Sequence, residues 1–235
     1  MLKLLFTFLL CFFLQSLYAQ QSRVDSIVRM LEKIREPKEI DSARFAEVMS
    51  QIEKSTLNDT SIAQLEQAGS MFNKGIDEYR SYRVRFSILN SLITTDKNKA
   101  LVYGKYNFEA LKKSKTPDAA FIRAAFLRQL RLPYRNSNML NEGFQYFNEK
   151  LKEYKTNNDS IGLADCYYVL GGLYRTIGLL DQAIYHMKKS MSYMNADPKN
   201  DKGVEPFLNP VGRRLWLNNN AVVGIYYLQK REYFE

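Results

Sequence analysis

Few residues in this chain could do chemistry, because its 235 residues include only two cysteines and one histidine. Cys166 and His186 are the one pair that could serve as nucleophile and base. No acid stands where it would orient His186, and Cys166 lies in an apolar-periodic stretch that suits a small core residue. One histidine and one cysteine do not make a metal site. Carboxylates show no pair at catalytic spacing, and no glycine-rich loop is present to cradle a phosphate. Neither an enzyme nor a cofactor is expected. Arginine is what remains. Arg128, Arg135 and Arg175 are the candidates, and the planar guanidinium fork captures carboxylates bidentately. An acidic protein segment or a peptide C-terminus is the ligand chemistry that follows.

The formal charge of +9, or +8 without Lys3, also suits an anionic partner or membrane surface, although solvated helix faces with surplus lysine give the same total. Residues Glu78-Tyr79-Arg80-Ser81-Tyr82-Arg83-Val84-Arg85-Phe86 interleave basic and aromatic side chains. Buried rings with snorkelling arginines explain that run better than a nucleic-acid surface, so no nucleic acid is expected as a partner.

Helices must position these groups, since alternating strand-like runs are missing. Helical spacing predicts elements over 23–35, 41–55, 61–78, 80–94, 97–115, 118–135, 138–156, 160–177, 180–196 and 212–230. Thr116-Pro117-Asp118, Asp159-Ser160 and Asp41-Ser42 supply start signals. Pro133 falls inside one predicted helix and should bend it.

The strongest pattern is a repeat. Tyr167, Leu170, Gly171 and Tyr174 are followed by Ala183 and Met187. Forty residues earlier stand Leu127, Leu130, Arg131 and Tyr134, then Gly143 and Phe147. Within each copy the first helix carries one apolar stripe at three- and four-residue spacing. Gly171 lets a partner helix approach, Gly178 falls at the turn, and Ala183 is the small residue on the returning helix. A third copy, Asn220-x2-Val223-Gly224-x2-Tyr227, follows a proline- and glycine-rich stretch.

At these residues the chain resembles the tetratricopeptide repeat family, with Tyr167 at a position usually held by Trp and Ser190 where Ala is common. The resemblance implies an all-α fold, an α-solenoid of helical hairpins in a right-handed superhelix. It also implies a concave side lined by Asp165, Tyr168, Gly172, Arg175 and Thr176 in one repeat, and by Ala125, Arg128, Leu132, Arg135 and Asn136 in the other. Arg128, Leu132, Arg135, Tyr168 and Arg175 are the candidate peptide groove. The two-carboxylate clamp of chaperone-binding members, with its Lys and Asn, is not matched.

Residues 1–19 read as an export signal: Lys3, the apolar run Leu4 to Leu14, and Leu17-Tyr18-Ala19 at the cleavage site. Residues 20–95 then read as degenerate repeats or a cap, 96–198 as repeats, 199–212 as a linker, and 213–235 as the start of a further, incomplete repeat. The chain is therefore expected to be the exported sensory part of a longer protein, periplasmic and anchored through a later membrane segment. A histidine kinase or DNA-binding domain would follow. A free periplasmic or secreted scaffold is the alternative. If the chain stops at Glu235, the unpaired last helix calls for a homodimer.

Overall fold

The computed structural model describes residues 2–34, 42–74, 78–114, 119–135 and 138–195, and among them there is no strand. The helices are α1 Leu2–Ile34, α2 Ser42–Glu53, α3 Asp59–Ser70, α4 Glu78–Thr95, α5 Lys97–Leu111, α6 Ala119–Gln129, α7 Arg131–Arg135, α8 Leu140–Thr156, α9 Ser160–Thr176 and α10 Leu180–Asn195. A 3₁₀ turn, Met71–Lys74, follows α3, so the predicted helix over 61–78 ends early. The capping stretch Thr116-Pro117-Asp118, Asp41, the 199–212 linker and the third repeat copy lie outside the described residues. No described helix is long and apolar enough to cross a membrane. The chain divides into two compact units between Ala100 and Leu101, within α5.

In the first unit α1 extends well beyond its predicted start, running as one helix through the expected cleavage position. Its buried residues Val24, Ile27, Leu31 and Ile34 follow helical spacing and face α2 and α3. Several contacts between α2 and α4 are polar. Glu53 Oε1 accepts from Ser87 Oγ at 3.1 Å and Asn90 Nδ2 at 3.0 Å, and Ser91 Oγ donates to the Ser55 carbonyl. The two partners advance together, so α2 and α4 run parallel. Gly69 permits the close approach of α3 to α4, where an added Cβ would sit 3.1 Å from Val84 Cγ1.

In the second unit the repeat residues form the core. Leu127, Leu130, Tyr134, Phe147, Tyr167, Leu170, Ala183 and Met187 are buried, with Gly143 and Gly171 beside them. Tyr174 is only partly buried. Pro133 has the expected consequence. The predicted helix over 118–135 breaks at Leu130 into α6 and α7, because a proline offers no N–H to the carbonyl four residues back.

Neighbouring helices in this unit are antiparallel. Across α9 and α10, Tyr174 meets His186 with ring centroids 4.7 Å apart, while Tyr167 stacks on Tyr193 at 5.5 Å. Moving back along one helix means moving forward along the other. With the broken pair α6–α7 counted as one helix, helices two apart are parallel. Glu109 to Lys150 and Lys112 to Glu153 link α5 to α8, each pair separated by 41 residues. The pair Arg123–Asp159, 36 residues apart, links α6 to the start of α9. The displacement seen in sequence is thus close to the register of packing in space.

The turns that reverse the chain share one device. Gly178 N–H donates to the Arg175 carbonyl and Leu179 N–H to that of Tyr174, and Asn158 and Asp159 repeat the pattern on Lys155 and Tyr154. Each loop needs a left-handed residue, supplied by Gly178 (φ 77°) and Asn158 (φ 52°), the residue types that tolerate it best.

Candidate functional site

The candidate groove residues divide into two groups. Arg128 and Tyr168 are drawn into a seam where α6 and α7 lie along α9. Arg135 and Arg175 stand exposed in the last turns of α7 and α9, 40 residues apart, and Leu132 is half-buried. Cations in those turns also complement the negative end of each helix dipole.

The seam is a ladder of three rungs. The first is closed: Asp159 caps α9 by accepting from Gly162 N–H at 2.8 Å, and its other oxygen meets Arg123 Nη2 at 2.5 Å. The second is open. Arg128 Nε lies 3.6 Å from Asp165 Oδ1, beyond hydrogen-bond reach, and donates instead to the Ala124 carbonyl at 3.3 Å. In the third rung the Arg131 guanidinium lies over the Tyr168 ring, 5.5 Å from its centroid. It occupies the space left by Gly172, where a Cβ would overlap it.

Three buried polar atoms of the seam have no hydrogen-bond partner in the structure: Arg128 Nη1, Arg131 Nε and Asp165 Oδ1. Burial pushes the Asp165 carboxyl pKa above its ordinary value, and the Arg128 charge only partly opposes it. Arg131, which stands at the position Gly171 holds in the later copy, is the contributor that sequence reasoning missed. Its three-residue spacing from Arg128 was the available signal, since it places both on one face.

On the other side of this unit, α5 and α8 meet through charge and aromatic rings. Lys150 Nζ binds Glu109 Oε1 at 2.6 Å and Glu153 Oε2 at 3.0 Å while lying over the Phe108 and Tyr146 rings. Burial raises the pKa of both glutamates, but Lys112 and Lys150 outweigh it and hold them below the ordinary value. These groups fit a joint between helices.

Cys166 is buried, and burial pushes its thiol pKa up, away from the thiolate that a nucleophile requires. His186 instead sits among the rings of Tyr167, Tyr174 and Tyr185, its Nδ1 2.8 Å from the Gln182 carbonyl oxygen. Burial lowers its pKa below 6.5 despite that hydrogen bond. The unfolded chain therefore takes up the proton first. Stability from this group is complete above about pH 6.5, falls as the pH drops through that value, and levels off once the folded imidazole is protonated. In urea titrations from pH 7.5 to 5, His186→Gln is expected to flatten that decline.

No family model, curated protein or solved structure matches this chain.

Proposed function

We propose that this chain is a non-catalytic array of tetratricopeptide-like hairpins, a right-handed α-solenoid, that binds a protein or peptide segment. The observation that carries the reading is the packing of the second unit. With α6 and α7 counted as one broken helix, neighbouring helices there are antiparallel, helices two apart are parallel, and the register is close to the sequence repeat. Hairpins stacked in this way present their first helices side by side, and solenoids use that surface for extended ligands. Arg135 and Arg175 occupy equivalent, exposed positions on consecutive first helices, so an acidic segment or terminal carboxylate is the complementary ligand.

The biological setting proposed is the exported sensory region of a longer signalling protein, in which ligand capture shifts a conformational equilibrium. This rests on the signal-like residues 1–19 and on architectural analogy. Reading the coding region past Glu235 tests it: a membrane span followed by a kinase or DNA-binding domain supports it, whereas further repeats and a stop favour the scaffold.

The groove is tested by Arg135→Glu combined with Arg175→Glu. Reversing both charges is expected to reduce binding of an acidic peptide pool at least about tenfold, in line with losing charge-assisted hydrogen bonds. Unchanged binding in fluorescence anisotropy would retire the carboxylate assignment.

A further inference from the structure

The open rung of the seam is the most informative unexplained feature of the molecule. At this rung the Arg128 guanidinium faces Asp165, whose side chain is only 3% exposed, while the Arg131 guanidinium of the next rung lies over Tyr168. That carboxylate satisfies neither unpartnered donor, although Asp159 at the N-cap of α9 closes fully on Arg123. The seam therefore holds one cation more than it has anions, and two N–H donors await an acceptor.

We propose that Asp165 is an internal competitor for Arg128, which an acidic segment must outbid to reach the donors of Arg128 and Arg131. The inference rests on the peptide-binding reading above and adds a residue that sets its threshold. In the free chain Asp165 keeps Arg128 from standing buried without any counter-charge. An incoming carboxylate accepts from Arg128 Nη1 and Arg131 Nε, the two donors left unused. To enter it must lift the Arg131 side chain off Tyr168 and Gly172, and it does so against the like charge of Asp165. Weakly acidic segments fail that contest, so the competitor improves discrimination while lowering affinity.

The test uses the intact chain, with a fluorescein-labelled polyglutamate peptide bearing a free C-terminal carboxylate and an amidated polyglutamine counterpart. Asp165→Asn removes the competitor's charge at constant shape. It is expected to tighten binding of the acidic peptide about tenfold and to leave the polyglutamine peptide unaffected. Arg131→Gln is expected to weaken binding by a similar factor. Thermal unfolding of each variant accompanies the titrations. If Arg131→Gln does not fold, Arg131→Lys, which keeps the charge but lacks the guanidinium Nε donor, takes its place and should give the same weakening.

Wild-type binding that Asp165→Asn leaves equal or weaker overturns the competitor role and leaves the peptide-binding reading intact. Binding lost in the Arg135→Glu, Arg175→Glu variant but retained in Arg131→Gln likewise removes the seam alone. No binding of the acidic peptide by either wild type or Asp165→Asn overturns both.

Discussion

Phe147→Ala is expected to lower the unfolding free energy by about 3–5 kcal/mol, the range for removing a large aromatic from a close-packed core. Phe147 is fully buried on α8, edge-on to Tyr134 at 5.9 Å and to Tyr146 at 5.2 Å. It therefore ties the short helix α7 to the hairpin that follows. The cavity cannot close easily, because Tyr134 is itself fixed against Gly143, where a Cβ would meet Tyr134 Cβ and Cγ at 2.9 Å. Urea unfolding followed by circular dichroism measures the loss. A change below about 1 kcal/mol, the size expected of a surface site, would show that the α7–α8 core is not packed as described.

Gly162→Val is expected to cost about 3 kcal/mol, the upper part of the range for overpacking a filled core. Gly162 lies in the first turn of α9, and a Cβ there would overlap the ring of Tyr154. That ring is buried, and the Arg123 guanidinium, itself paired with Asp159, sits over it 5.6 Å from its centroid. It has nowhere to move without opening the first rung of the seam. The mechanism makes a sharper prediction in combination. In a Tyr154→Ala background the added valine fills the vacated space, so its cost should vanish or reverse sign. A double-mutant cycle reads this coupling directly. Additive losses would mean that backbone conformation, not the tyrosine ring, makes glycine necessary at 162.

Much of the fold is legible in the sequence because helix stripes are a short-range signal. The predicted starts of the last three described helices fall within about two residues of those observed, since Asp159 and Gly178 mark the turns chemically. The break at Leu130 follows from Pro133. What could not be read is the partner of each stripe. Arg128 occupies a first-helix position that suits a groove, but whether a cation there meets solvent or a neighbour depends on which residue of the next first helix lies beside it, and that residue is Asp165, three short of the repeat displacement. The register that pairs them is a property of stacked hairpins, not of either helix alone. In the first unit the stacking was illegible for another reason. Its α2–α4 joint is pinned partly by Glu53, Ser55, Ser87, Asn90 and Ser91, small or polar residues that add no large apolar repeat to the sequence pattern.

The same distinction governs what each part of the molecule can do. Joints such as Glu109–Lys150 and Lys112–Glu153 close on themselves and leave little for a ligand. The seam beside α9 does not close, and the exposed arginines at the ends of α7 and α9 extend its positive character to the surface. The proposed peptide binding needs such a rigid framework with the unused donors of Arg128 and Arg131.

The most direct measurement is a calorimetric titration of the intact chain with an acidic peptide carrying a free C-terminal carboxylate, run at low and high salt beside its neutral, amidated counterpart. Saturable binding that weakens with salt and is absent for the neutral peptide is the expected result. Equal binding of both peptides, or no binding of either, would contradict the assignment of this array to acidic protein segments.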